Sequence, residues 1–158
     1  MKTAIKHLIF ITLLITVVNG CKKGGTTPDP IIPDTTKPSV SITKPTVGQI
    51  FIPGNTINFE ATFTDNDKLA SYDIAITKKI AGGFILKNVP SPVPWSYTKG
   101  SVNFPTGLKL KDITYDILIP LDINAAPLST GDYNFVVTCT DASGNITTTP
   151  SNLYIKIN

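Results

Sequence analysis

From Pro38 onward, large apolar residues recur at every second position, and this period constrains the fold more than any other feature of the chain. Val40 and Ile42 alternate with polar neighbours, as do Ile57, Phe59, Ala61 and Phe63. Tyr72, Ile74 and Ile76 make a third set, and Ile113, Tyr115, Ile117 and Ile119 a fourth. Tyr133, Phe135, Val137 and Cys139 make a fifth, and Leu153, Ile155 and Ile157 close the chain. Successive side chains of a strand point to opposite faces, so each set predicts a strand with one buried face. The residues used are largely β-branched or aromatic, which suits a pleated, half-buried surface. No helical period runs beyond two turns, and Pro45, Pro53, Pro90, Pro92, Pro94, Pro105, Pro120, Pro127 and Pro150 punctuate the loops.

Six or seven such strands in about 120 residues predict an all-β fold, an immunoglobulin-like β-sandwich of about seven antiparallel strands. Two local motifs agree with it. Leu128-Ser-Thr-Gly-Asp-Tyr133 resembles a tyrosine corner, in which the ring packs at the turn between the E and F strands and its hydroxyl bonds a nearby backbone group. Asp141-Ala-Ser-Gly-Asn145 reads as a tight turn, with Gly144 able to adopt the left-handed conformation and Asp141 able to cap it. Cys139 falls on an inward strand position and reads as a small buried apolar residue.

The first 20 residues have a different character. Lys2 and Lys6 precede an 11-residue apolar run, Leu8 to Val18, and Asn19-Gly20-Cys21 follow. These are the parts of a secretory signal, and the run is short for a transmembrane span. VVNG-C resembles the lipobox of bacterial lipoproteins, which implies cleavage after Gly20 and a diacylglycerol on Cys21. Residues 21–37, rich in Pro, Gly and Thr, then read as a disordered tether reaching roughly 50 Å at about 3.1 Å per residue. Residues 38–158 form the immunoglobulin-like domain. The expected location is the bacterial cell envelope, lipid-anchored at the outer membrane. Lys22-Lys23 stand where surface-exported lipoproteins often carry acidic residues, so the periplasmic and the outer face both stay open.

Composition narrows the chemistry. The net charge is +3 for 158 residues, and two of the lysines lie in the signal segment. Beyond residue 20 there are 12 Lys against 11 acidic residues and no Arg, which is not the electrostatic footprint of a nucleic-acid binder. The single histidine, His7, also lies in the signal segment, so the domain has no imidazole for a triad, a zinc ligand or acid–base catalysis. Glu60 is the only glutamate, and no phosphate loop or nucleophile elbow is present. The expectation is a domain that is not an enzyme.

KPSVSITKP, FIPGNTINFEATFTDNDKLASYDIAI, ILIP and GDYNFVVTCTDASGN occur in that order through most of residues 38 to 158. In this the chain resembles a family of Bacteroidota lipoproteins in which a single immunoglobulin-like domain follows a lipid tether. Members often carry His and Asp clusters after the third strand, which would imply metal binding. Thr77-Lys78-Lys79 stands there in this chain, so no metal site is carried over. The resemblance implies fold and location and adds nothing on activity.

Three groups of residues are candidates for function. In an immunoglobulin-like topology the B–C and F–G loops emerge at one end, bringing Asp65, Asn66 and Asp67 toward Asp141 and Asn145. Asp65, Asp67, Asp141 and Asn145 are candidate Ca²⁺ ligands, although the same residue types also build ordinary tight turns. No other cofactor is expected. The segment from Ile80 to Leu110 is longer than a usual loop and holds Phe84, Trp95, Tyr97 and Phe104. Exposed, these aromatics would stack on sugar rings or form a protein-binding patch; the alternative is that Phe84 and Leu86 pair as an extra strand while Trp95 caps the core. Lys78, Lys79, Lys99, Lys109 and Lys111 flank the same segment and read as solvated positions that protect strand edges, with a weak contact to anionic glycan as the sharper alternative. The function expected is that of a non-catalytic, membrane-anchored envelope lipoprotein for adhesion or ligand binding, carbohydrate included; the alternative is a structural accessory or spacer subunit of an envelope complex. Expected partners are the membrane, through the lipid, and a glycan or envelope protein. Trp95→Ala separates the readings of the aromatic segment by thermal melting. A loss of stability marks Trp95 as core, and unchanged stability with lost glycan or cell binding marks it as a site.

Overall fold

The structure is a computed structural model that describes residues 32–79, 91–150 and 152–158. The signal segment, Cys21, Phe84 and Leu86 therefore lie outside the described residues. Eleven strands follow in chain order: β1 (Ser39–Lys44), β2 (Gln49–Phe51), β3 (Thr56–Thr64), β4 (Leu69–Lys78), β5 (Ser96–Asn103), β6 (Leu110–Leu118), β7 (Asp122–Ile123), β8 (Ala126–Pro127), β9 (Gly131–Asp141), β10 (Ile146–Thr148) and β11 (Tyr154–Ile157).

They form an immunoglobulin-like sandwich. One sheet has the order β1-β3-β6, and the other has the order β2-β11-β9-β4-β5, with β10 also paired to β9. Every pairing in these two sheets is antiparallel except that of β2 with β11, which is parallel. β7 and β8 make a separate small ribbon. The chain thus contributes to both sheets before β3, with β1 on one and β2 on the other. β10 and β11 are two segments along the same side of β9, separated by the stretch that contains Pro150.

The period-two sets supply the core, and each lands on the strand expected for it. Ile57, Phe59, Ala61 and Phe63 of β3 face Tyr72, Ile74 and Ile76 of β4 and Tyr133, Phe135, Val137 and Cys139 of β9, all buried. Phe59 stacks on Phe135 across the interface at 5.8 Å and 20°, and also packs against Tyr115 at 5.4 Å. Both arrangements fall in the range where aromatic pairs add to simple area burial. Val40 and Ile42 pack only partly against the core, since β1 is the edge of its sheet.

Besides the small β7–β8 ribbon, three strands escape the sequence pattern. β2 and β10 are three residues each, too short for alternation to show. β5 lies in the long segment after β4, and its eight residues, SYTKGSVN, include few apolar side chains because it is an edge strand with mostly exposed positions.

The tyrosine corner is present. Tyr133 Oη donates to the Ser129 carbonyl at 2.6 Å, and the Trp95 backbone N–H reaches the same hydroxyl at 3.4 Å. Burial pushes the Tyr133 hydroxyl above its ordinary pKa of 10.0, and the Trp95 N–H opposes part of that shift. One buried hydroxyl thereby joins the β8–β9 connection to the start of β5. Tyr133→Phe removes the hydroxyl while keeping the ring, and the expected cost is about 1–2 kcal/mol in urea unfolding.

Candidate functional site

Period two also explains how the acidic residues meet. Asp65 stands just past the end of β3, two positions after the inward-facing Phe63, and Asp141 ends β9 two positions after Cys139. β3 and β9 belong to different sheets, so two carboxylates arrive at the same end of the core from opposite sides. Charged residues at core-facing positions are rare because burying an unpaired charge is costly. Asp141 is only 2% exposed.

A third carboxylate comes from the segment before β1. Pro33 to Lys37 were expected to be tether, but the compact unit begins at Pro33 and includes them. One carboxylate oxygen each from Asp34, Asp65 and Asp141 lies within 4.8 Å of the other two. Chain entry puts Asp34 here, because β1 runs antiparallel to β3 and Ser39 pairs with Thr64 beside Asp65.

Most of the surrounding polar groups are paired. Asp141 Oδ1 accepts the backbone N–H groups of Ser143 and Asn145, each at 2.8 Å, and its Oδ2 accepts Asn145 Nδ2 at 2.7 Å. The Asn145 amide also reaches the carbonyls of Asp34 at 3.1 Å and Thr36 at 3.3 Å, fastening the entering segment to the β9–β10 turn. Gly144 closes that turn at φ 88°, a conformation that favours glycine. Asp34 Oδ1 accepts the Thr36 N–H at 2.9 Å and Asn66 Nδ2 at 3.0 Å, and these donors, the Thr36 N–H first, hold its carboxyl below the ordinary 3.8. Asp65 Oδ2 accepts the Asp67 N–H at 2.9 Å. Two oxygens stand apart: Asp34 Oδ2 and Asp65 Oδ1 are buried and have no hydrogen-bond partner among the described residues.

The four residues expected as ligands thus divide. Asp65 and Asp141 come together as anticipated. Asn145 joins them, but its amide nitrogen is committed to Asp141 and to the entering segment. Asp67 is outside the cluster, because its carboxylate turns to Lys68 at 3.3 Å. Asp34 was missed because it lies among prolines and threonines that carry no strand period. The signal that could have found it is positional, since a residue just before the first strand must enter beside the end of the second.

The aromatic candidates lie elsewhere and mostly inside. Trp95 is 6% exposed and packs against Tyr97 and Tyr133, with ring centroids 6.3 and 6.1 Å away. Phe104 is 7% exposed and sits 5.3 Å from both Phe63 and Tyr72. Tyr97 is half-buried against the same core. The expected stacking platform is therefore corrected at Trp95 and Phe104: both rings are spent on packing, and neither presents a face to a ligand.

The lysines do not form one patch either. Lys78 donates to the Thr130 carbonyl and lies over the Tyr133 ring, Lys79 lies over Tyr154, and Lys99 over Tyr115 at 3.9 Å. Lys109 donates to the Asn66 carbonyl at 2.7 Å, which braces the loop between β3 and β4. Lys111 is exposed on β6. Burial, followed by the charges of Asp65 and Asp141, pushes the Cys139 thiol from 9.0 up to about 12, which suppresses the nucleophilic thiolate.

The sequence matches the family model described as a domain of unknown function, DUF4625, over residues 21–157. The chain belongs to the DUF4625 family. No curated protein matches it. Among solved structures, this DUF4625 chain is similar to the fibronectin(III)-like modules of Clostridium thermocellum CbhA, at 18% identity and a TM-score of 0.40, covering 75% of this chain and 94% of that one. It is also similar to the β-glucosidase of Listeria innocua in complex with gluconolactone, at 10% identity and a TM-score of 0.44. That match covers 78% of the DUF4625 chain and 16% of the β-glucosidase. A D270A mutant of the same β-glucosidase, in complex with laminaribiose, gives 9% identity, the same coverage and a TM-score of 0.44.

Asp141 caps two backbone N–H groups from a position with little solvent to replace it. Asp141→Ala is expected to cost about 3 kcal/mol in denaturant unfolding, and thiol labelling of Cys139 should begin at correspondingly lower denaturant.

Proposed function

We propose that this DUF4625 protein is a non-catalytic, lipid-anchored module of the bacterial cell envelope, held at the outer membrane through Cys21, that works by binding another envelope protein. Support for the anchor comes from the apolar run Leu8 to Val18 with Asn19-Gly20-Cys21 after it, and from a family match that begins at residue 21, leaving the run outside it. Support for binding over turnover comes from the suppressed thiol and from polar groups committed to turns.

The observation that favours a protein partner over a carbohydrate is the side on which the apolar surface lies. Trp95 and Phe104 are interior. Large exposed apolar side chains gather instead at β2, which among the described residues is an edge of its sheet. Phe51 points inward there, so Ile50 and Ile52 point out, 59% and 54% exposed, with Val47 beside them. Leu121 adds to the same region through its contact with Gly54. An edge strand bordered by apolar side chains suits strand addition or an apolar protein contact, which matches an accessory or spacer subunit.

Two measurements test this reading. Cys21→Ser should abolish lipid labelling and release the chain from the membrane fraction. A photo-crosslinking residue at position 50 or 52 should give a discrete protein adduct in cells, while one at Lys111 on the opposite sheet should not. Binding on a glycan array that is lost with Tyr97→Ala, without any adduct at position 50, would favour carbohydrate instead.

A further inference from the structure

We propose that Asp34, Asp65 and Asp141 form a divalent-cation site of the Ca²⁺ class, in which the segment entering the domain supplies one ligand and the two sheets supply the others. Three observations carry the inference, and it does not depend on what binds at β2. The first is convergence: residues 31 and 76 positions apart in sequence bring one carboxylate oxygen each to within 4.8 Å. Ca²⁺–O bonds of about 2.3–2.6 Å put three oxygens around one ion roughly 4.0–4.5 Å apart, so a single ion reaches all three once they close by a few tenths of an ångström.

The second observation points to a ligand directly. Asp34 Oδ2 and Asp65 Oδ1 are shut off from solvent and accept no hydrogen bond from the described residues, although every other carboxylate oxygen of the trio is satisfied. A buried carboxylate oxygen with nothing opposite it is expensive, and a cation removes that cost for both residues at once. Lysine does not fill the role among the described residues. Lys68 pairs with Asp67, and Lys109 donates to the Asn66 carbonyl. Three like charges at one point also repel, which a bound cation reverses.

The third is the donor type. The cluster offers carboxylate oxygen alone, with no imidazole or sulfur among its members, which selects a hard cation over zinc or copper. The positions at Asp34, Asp65 and Asp141 come from the entering segment, the β3–β4 loop and the end of β9. Binding would therefore fasten these three together, and the stability it supplies would follow Ca²⁺ concentration by mass action.

The test uses the full chain in detergent. With 10 mM Ca²⁺ the melting temperature should rise by roughly 5 °C over the value in EGTA, given an affinity near that of extracellular Ca²⁺ modules, about 10⁻⁴–10⁻³ M. Asp34→Asn and Asp65→Asn should each abolish the rise while leaving the EGTA melting temperature unchanged or higher, since each relieves repulsion and keeps the oxygen that is already bonded. Asp67→Asn, outside the cluster, should leave the rise intact. Tb³⁺ luminescence of the unaltered chain, displaced by Ca²⁺, reads the site without relying on any variant. The proposal is overturned by the absence of both a melting shift and displaceable Tb³⁺ binding, or by a Ca²⁺ shift that survives in Asp34→Asn and Asp65→Asn.

Discussion

The register of β9 is the constraint on which the rest of the molecule depends. Its inward positions run Tyr133, Phe135, Val137, Cys139 and Asp141, and all five are buried. A slip by one residue would turn this whole set outward, because side chains alternate with a period of two. The two ends of the strand then do different things with the same inward direction. At one end the Tyr133 hydroxyl anchors the β8–β9 connection and the start of β5. At the other end Asp141 closes its own turn and meets Asp65 and Asp34. Between them Phe135 stacks on Phe59 and joins the two sheets. Structural corner, core and acidic cluster are therefore three segments of one face.

This arrangement places polar chemistry where the apolar period runs out. Asp141 follows Cys139 by one step along the inward face of β9, and Asp65 follows Phe63 just past the end of β3, each going from dry core to carboxylate. The Coulombic effect of the two aspartates is felt inside, where they add to burial in raising the Cys139 thiol. The aromatic residues show the opposite tendency. Trp95, Tyr97 and Phe104 cover the core beside Tyr133, Phe63 and Tyr72, so β5 and the residues flanking it contribute packing rather than a platform. Outward apolar side chains cluster around β2, a short strand that pairs in parallel with β11, while Leu110 and Leu118 of β6 and Ile146 of β10 are exposed elsewhere.

Legibility followed the strength of local repetition. The strands β3, β4, β6, β9 and β11 were readable because their inward residues repeat over several positions, and the tyrosine corner because its residues are close in sequence. β2 and β10 were not, since three residues cannot display a period. β5 hid among polar residues that an exposed edge tolerates. The pairing of Asp65 with Asp141 was anticipated from loop positions in the fold class. Asp67 was drawn in wrongly by the same reasoning, because proximity in a loop says nothing about which way a carboxylate turns, and a neighbouring Lys68 took it.

The amino-acid sequence by itself determined which faces are buried, hence an all-β sandwich, the central place of β9, and the presence of a carboxylate at the end of each facing strand. Those properties follow from alternation, which is written residue by residue. Only the tertiary structure decided that Asp34 joins the other two aspartates, that Trp95 and Phe104 face inward, and that the exposed apolar edge is β2. Each of these depends on how distant segments are brought together across the sandwich. Asp34 is 107 residues from Asp141 in the chain, and nothing in either local sequence encodes that they meet in one cluster.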